Sequence, residues 1–178
     1  KVELLEAVNG ELSGPKSVLF QAQETGTFQT WIAAKSGQWK WLKGIKEASE
    51  PRNEWQKQGF SDAPWTTGTA PFGYGREGVQ TALNDMRNNY TTVYLRHEIE
   101  LDSPDSMGSL QFHATYDDGF AIWINGFELA RIGLPAGELP FNGRASESDV
   151  APREWSAVIP AAKIPSLATG KNIVAVHL

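Results

Sequence analysis

The chain has 178 residues, a net charge of −5, a pI near 5.2 and no cysteine. This length fits one domain with a sizeable core, with or without an extension, and disfavours two full domains. The negative charge argues against a nucleic-acid partner. The absence of cysteine excludes a disulfide framework and thiolate chemistry. No apolar run approaches the roughly 20 residues of a membrane helix, and no signal peptide opens the sequence.

The N-terminal residues 1–30 are interpreted as an extension or as an added strand, and residues 31–178 as one module. Apolar residues at helical spacing occur early, but Asn9-Gly10 and Gly14-Pro15 interrupt the pattern. Alternation then predicts two strands on either side of Gly26. Because the chain begins without Met and ends inside a predicted strand, we expect it to be a piece of a longer protein.

A long strand-poor region, residues 43–89, follows a short predicted strand in which Trp39 and Trp41 share one face. The region is rich in Pro and Gly, yet it contains five aromatic residues. Because aromatic side chains need burial or a ligand, we expect ordered loops packed on a sheet rather than disorder. The five aromatic residues are Trp55, Phe60, Trp65, Phe72 and Tyr74.

Clear alternation predicts strands over residues 92–101 and 109–116, with a hairpin centred on Asn125-Gly126. That dipeptide tolerates the positive φ angles of a type I′ turn. A two-residue loop predicts three facing pairs on the apolar face: Ile124 with Phe127, Ile122 with Leu129, and Phe120 with Arg131. On the other face it places Trp123 opposite Glu128.

Two further strands are predicted near the C-terminus, over residues 155–159 and 173–178. No segment has a convincing helical pattern longer than about two turns. The sequence therefore predicts an all-β antiparallel sandwich with long ordered loops.

Several short motifs occur in an order that resembles secreted bacterial jelly-roll modules of the galactose-binding-domain-like type. They include Trp39-Lys40-Trp41-Leu42, Gly59–Trp65, Ala70–Gly75, Tyr116–Arg131 and Gly170–Val176. The resemblance implies a jelly-roll β-sandwich and a non-catalytic carbohydrate-binding role beside the catalytic or other domains of a larger protein. A further strand is expected after the one ending at Leu178. Either that strand lies beyond the chain or residues 17–32 supply it.

Sugar recognition needs flat aromatic faces and planar polar side chains on loops at one end of a rigid sandwich. Four loop residues fit this requirement: Tyr74, Arg76, Tyr90 and Arg144. The alternative for Tyr74 is that it only anchors the long loop to the sheet, as is expected of the other aromatics there. The positive charges of these arginines and of Arg131 are compatible with an acidic or sulfated glycan as the ligand.

Trp123 and Trp155 are two further candidates for sugar stacking. Trp123 is predicted on the non-core side of the hairpin, where it would offer a platform on the sheet surface. The alternative is that a neighbouring loop covers it. Trp155 follows Arg153-Glu154, in polar surroundings that favour a binding role.

The pair Asp117-Asp118, followed by Gly119, offers two adjacent carboxylates to a cation. Calcium prefers several carboxylate and carbonyl oxygens. The stretch also resembles adhesin domains related to anthrax protective antigen, in which paired aspartates hold calcium. A structural calcium ion is therefore one hypothesis, and a turn in which the aspartates accept backbone N–H groups is the other.

Catalysis has little support in the sequence. His97, His113 and His177 lie on separate predicted strands without a nucleophile motif or metal-ligand spacing. We therefore expect a polysaccharide-binding module without catalytic residues, secreted by a bacterium. The alternative is a structural or adhesion domain whose exposed aromatics pack against neighbouring domains or proteins.

Overall fold

The computed structural model describes residues 17–24, 27–32, 38–146 and 151–178 as two packed antiparallel β-sheets. One sheet has four strands in the order β11-β8-β1-β2, and the other has six in the order β10-β9-β12-β7-β3-β4. A short parallel pair, β5-β6, lies apart from them. The prediction of an all-β antiparallel sandwich is confirmed.

The strands are β1 (Ser17–Glu24), β2 (Thr27–Ile32), β3 (Gln38–Lys43), β4 (Thr66–Thr69), β5 (Phe72–Gly73), β6 (Thr81–Ala82), β7 (Val93–Leu101), β8 (Ser109–Tyr116), β9 (Phe120–Ile124), β10 (Phe127–Ile132), β11 (Arg153–Pro160) and β12 (Gly170–His177). The helical segments in the described residues are three 3-10 turns at Glu54–Gln56, Pro104–Ser106 and Ala161–Lys163. Within these residues, no helix is long and apolar enough to cross a membrane.

Most connections from β7 onward cross from one sheet to the other. From β7 onward the chain passes from the six-stranded sheet to β8, back to the hairpin β9-β10, across to β11 and back to β12. This alternation is the jelly-roll pattern. The structure places β1 and β2 in the four-stranded sheet, where β1 pairs with β8. The segment 17–32 thus supplies strands to the sandwich, while residues 1–16 lie outside the described residues.

The main core lies between the two sheets and follows the period-two pattern of the sequence. In β8 every second residue is buried, beginning at Leu110 and ending at Tyr116. In β7 the predicted residues Leu95, Ile99 and Leu101 face this core, and Trp39 and Trp41 of β3 contact it from the same face. Alternation therefore predicted this layer correctly.

The hairpin forms the predicted turn but contains a bulge that the sequence did not reveal. Asn125 and Gly126 have φ angles of 50° and 86°, as a type I′ turn requires. The pairs Ile124 with Phe127 and Trp123 with Glu128 are confirmed. The register then shifts between Glu128 and Ala130. An extra residue on one strand moves each later side chain to the opposite face.

The bulge corrects the rest of the predicted register. Ala130, not Leu129, lies opposite Ile122, and Ile132, not Arg131, lies opposite Phe120. Arg131 instead pairs with Ala121 and donates to both carboxylate oxygens of Glu128, at 3.0 and 2.6 Å, and to the carbonyl of Pro135 at 2.8 Å. Three hydrogen bonds within the protein therefore hold its guanidinium group.

A second core covers the outer face of the six-stranded sheet. It comprises Trp55, Trp65, Tyr94, Ala121, Trp123, Ile173 and Ala175. Trp55, from the loop after β3, makes edge-to-face contacts with Tyr94 and Trp123. The ring centroids are 5.0 Å and 5.6 Å apart, respectively. The expectation that the long region packs in an ordered way on a sheet is thus met. β9 is consequently buried on both faces.

A buried arginine holds the covering loop in place. Arg96, on β7, is only 2% exposed. Its Nε donates to Asp62 at 2.8 Å, and its Nη atoms donate to the backbone carbonyls of Trp55, Lys57 (3.1 Å) and Phe60 (3.2 Å). A guanidinium group has five donors in a rigid plane, so one side chain fixes a whole loop segment.

Replacing Trp55 by alanine tests the outer core. We expect Trp55→Ala to lower the free energy of unfolding by about 3–5 kcal/mol, because a large ring leaves a cavity between the loop and the sheet. Tyr74→Ala, which removes an exposed ring, should change it by no more than about 0.5 kcal/mol. Urea denaturation of both variants measures the difference. Equal effects would contradict the assigned packing.

Replacing Arg96 tests the loop anchor. We expect Arg96→Met to cost about 3 kcal/mol or more, because it leaves the Asp62 carboxylate and three carbonyls without their donor. Arg96→Lys keeps the charge but loses the planar set of donors, so it should restore only part of the stability. Full recovery by lysine would show that charge alone matters. Hydrogen exchange of residues 55–62 would reveal whether the loop loosens first.

Candidate ligand-binding groove

Loops from both sheets meet at one end of the sandwich. β3, β8, β10 and β12 end there, and β7, β9 and β11 begin there, because neighbouring strands are antiparallel. The register shows this directly: Lys43 lies opposite Val93, and Tyr116 lies opposite Arg153. Loops at the end of a rigid sandwich are where binding residues are expected.

A broad groove runs between these loops. Six of the eight predicted site residues line it: Tyr74, Arg76, Tyr90, Asp117, Asp118 and Arg144. They come from four separate segments of the chain, so only the tertiary structure brings them together. The remaining two, Trp123 and Trp155, do not line it.

The floor of the groove is built from strand ends and fixed backbone contacts. Leu178 and Val93 exchange two backbone hydrogen bonds of 3.0 and 3.1 Å. The hydroxyl of the buried Thr92 donates to the carbonyl of Phe141 and so ties the two sides of the groove together. Gly44 lies against both partners, where a Cβ atom would clash. The groove therefore has a rigid base.

One wall is formed around the turn between β8 and β9. The Nη2 atom of Arg76 donates to Asp117 at 2.9 Å, and both side chains are mostly buried. Gly133 packs against the carbonyl of Asp118, and its own carbonyl accepts a 2.7 Å bond from the Ser146 backbone. This wall joins the loop after β5, the β8-β9 turn and the loop after β10.

The opposite wall is formed by the turn before β7. Tyr90 is largely buried, and its hydroxyl donates to Asp85 at 3.0 Å. Lys43 pairs with the same carboxylate, and its hydrogen bond is the main reason that the pKa of Asp85 is lowered. Burial, followed by Asp85, raises the pKa of Tyr90. Tyr90 therefore fixes the wall more than it offers a free ring face.

Tyr74 is the aromatic ring of the groove that is open to solvent, with 44% of its surface exposed. It lies in the loop after β5, two residues before Arg76. The two interpretations of Tyr74, sugar stacking and anchoring of the long loop, both stay predictions, and this exposure leaves part of the ring accessible to a ligand. Ile45, also in the groove, adds an exposed apolar side chain.

Trp123 requires a correction. It is on the non-core side of its hairpin, as predicted, but it is only 4% exposed because Trp55 packs on it. The platform on the sheet surface does not exist, and the alternative, a covering loop, describes the structure. Alternation correctly assigned the face, but it does not indicate whether a distant loop lies over that face.

Trp155 lies on β11, away from the groove, and packs against the main core. The centroid of its ring lies 5.5 Å from that of Phe120 and 6.4 Å from that of Phe112. It remains half-buried. The polar neighbours that suggested a binding role belong to a strand on which every second residue is exposed. Their polarity therefore follows from the alternation of the strand. Its proposed part in binding therefore has no support from the position of the groove.

His177 lies under the groove and within the outer core. It is 3% exposed and stacks on Tyr94 with ring centroids 4.4 Å apart. Burial, assisted by the charge of Arg131, lowers the pKa of His177 to about 4. Its Nε2 has no hydrogen-bond partner among the described residues. The ring is thus neutral at pH 7 and packs in the outer core against Tyr94.

The calcium hypothesis remains a prediction. Within the described residues, no group of three or more His, Asp or Glu side chains is arranged to hold a metal ion. Asp117 already accepts from Arg76, so a cation would have to compete with that guanidinium. Asp118 has a φ angle of 48°, which is the turn conformation of the alternative hypothesis.

Several other groove residues had no recognisable signal in the sequence. Arg87, Asn88, Asn89 and Asn142 contribute planar polar side chains to the lining. They occur in short polar stretches that resemble any surface turn. Only Asn88, with a φ angle of 66°, has the left-handed conformation that asparagine tolerates in turns. Their contribution depends on two turns meeting in space.

Comparisons with known proteins found no matching family model and no matching curated protein. Several solved structures share similarity. One is a beta-glucuronidase of an uncultured Clostridium sp., with 13% identity, a coverage of 99% of this chain and 24% of that chain, and a TM-score of 0.49. Another is a beta-glucuronidase from glycoside hydrolase family 2, with 16% identity, a coverage of 97% of this chain and 14% of that chain, and a TM-score of 0.45. A glycosyl hydrolase family 2 member from Bacteroides cellulosilyticus DSM 14838 has 16% identity, a coverage of 79% of this chain and 16% of that chain, and a TM-score of 0.45. The chain thus spans a quarter or less of each. At these TM-scores the similarity indicates neither activity nor ligand for this chain.

His177 predicts an acid-sensitive stability. The folded state binds its proton less readily than the unfolded state, so the free energy of unfolding should fall between pH 6.5 and about 4, by on the order of 3 kcal/mol. His177→Phe keeps a ring against Tyr94 and removes the titration. Urea denaturation across this range should show a weaker pH dependence in the variant. An unchanged slope would assign the effect to other groups.

Proposed function

We propose that this chain is a non-catalytic carbohydrate-binding module of a larger, secreted bacterial protein, which binds a polysaccharide in the groove. The observation that carries the proposal is the groove itself. It lies at the loop end of a rigid sandwich and combines an exposed tyrosine ring with asparagine and arginine side chains. This is the combination that sugar recognition requires.

The rigidity of the groove supports binding. Its floor and walls are held by hydrogen bonds and an ion pair between separate segments. A preformed site loses little conformational entropy when a ligand binds. Tyr74 would stack on the C–H face of a sugar ring, while amide and guanidinium groups would bind its hydroxyls.

Several positions favour binding without catalysis. His97, His113 and His177 lie on β7, β8 and β12, and the one that lines the groove is buried and neutral. A catalytic site needs converging titratable groups with matched pKa values. The carboxylates Asp117 and Asp118 are instead part of a turn, one of them paired with an arginine.

A structural or adhesion domain is the second candidate. It is favoured by exposed apolar residues on edge strands: Val158, 64% exposed, on β11 and Phe127 on β10. Edge strands with apolar side chains are suited to contact with a neighbouring domain. These residues are isolated, however, and single exposed apolar side chains are common on protein surfaces.

Affinity electrophoresis on neutral, uronic and sulfated polysaccharides, with calcium and with chelator, tests the proposal. We expect retardation on one glycan class, and Tyr74→Ala should raise Kd about tenfold by removing the stacking surface. Phe127→Ala, which removes an exposed ring outside the groove, is the matched control and should bind normally. No retardation of the folded protein on any glycan would favour the structural alternative. Loss of binding with chelator would support the calcium hypothesis.

A further inference from the structure

The groove contains three arginines, of which two differ from the third in their contacts. Arg76 is held by Asp117. Arg87 and Arg144 are exposed, and no carboxylate of the described residues pairs with either of them. Two guanidinium groups of the groove are therefore available to an incoming ligand.

The two arginines lie on turns whose backbones are fixed. Arg87 lies in the turn in which the Asn89 backbone donates to Met86 at 3.0 Å. Arg144 follows the turn in which the Gly143 backbone donates to Pro140 at 2.9 Å. The bond from the Thr92 hydroxyl to the Phe141 carbonyl connects the two segments. Thr92 lies five residues after Arg87, and Phe141 lies three residues before Arg144. The Cα positions of both arginines are thus preset relative to one another.

A guanidinium group binds a carboxylate or a sulfate with two parallel hydrogen bonds. We propose that the groove takes an acidic sugar unit and that Arg87 and Arg144 bind its carboxylate or sulfate group. The inference rests on the proposed function, since it names the class of saccharide that the same groove binds.

The charge balance of the groove indicates how such a ligand is recognised. Among the described residues that line the groove, three arginines (Arg76, Arg87 and Arg144) stand against three carboxylates (Glu77, Asp117 and Asp118), so this part of the lining has no net charge, while the whole chain carries −5. No long-range field attracts a polyanion. Recognition is therefore local, one acidic group at a time, and depends on the sugar as well as on the charge.

The experiment is calorimetry with four probes: oligogalacturonate, the same oligosaccharide with its carboxyl groups reduced, a sulfated galactan oligosaccharide and polyglutamate. We expect binding of one acidic saccharide, a loss of about tenfold or more on carboxyl reduction if the acid is a carboxylate, and no binding of polyglutamate. Preference for the sulfated probe would identify a sulfate ester as the group bound.

Variants locate the site. Arg87→Gln and Arg144→Gln should each weaken binding about tenfold while leaving thermal stability unchanged, because both side chains are exposed. Lys163→Gln removes one exposed positive charge outside the groove and should bind as the parent protein does. Equal weakening by all three variants would indicate a general charge effect and overturn the inference.

The remaining outcomes separate this inference from the proposed function. Binding of neutral glycans in a Tyr74-dependent manner, without any effect of the two arginines, would overturn the inference and leave the proposed function standing. Equal binding of polyglutamate and saccharide would also overturn it. No binding of any saccharide, acidic or neutral, would remove the proposed function and this inference with it.

Discussion

The bonds from Arg96 to one loop are the interaction on which the rest of the structure depends. A charged side chain on the outer face of a sheet normally extends into water. Here it is buried and satisfied by a carboxylate and three backbone carbonyls. The cost of removing the charge from water is offset by these four hydrogen bonds, one to a carboxylate and three to carbonyls. The loop that supplies these acceptors also supplies Trp55, which covers the sheet.

This arrangement gives the six-stranded sheet two cores. The inner one lies between the sheets, and the outer one lies beneath the loops. Strands buried on both faces cannot slip in register without exposing apolar residues. The stability of the centre lets the loops at one end hold a fixed shape, and the contacts among those loops define the groove. His177 links the two regions, since it packs in the outer core and lies beneath the groove.

The groove brings together three features from separate segments of the chain. One depression contains an exposed ring, a hydrogen-bonded base, and the guanidinium groups of Arg87 and Arg144, with which no carboxylate of the described residues pairs. The nearby aspartate pair contributes to the wall through its contact with Arg76 rather than as an open cluster of carboxylates. These contacts are the basis of the proposal that the groove binds a saccharide.

The sequence by itself determined the class of fold, the inner core and the hairpin turn. Leu110 to Tyr116, Leu95 to Leu101 and Asn125-Gly126 follow local rules, since period-two alternation and turn conformations depend on neighbouring residues alone. It also identified six residues that line the groove, because loop tyrosines, arginines and aspartates are visible as residue types. The partners of those residues were not visible: no local pattern shows that Asp117 accepts from Arg76. The tertiary structure alone decided that Trp123 is buried, that a bulge redirects Arg131, and that Arg87 and Arg144 line the same groove. Each of these depends on a contact between segments far apart in the chain, where burial and register are set by packing rather than by local preference.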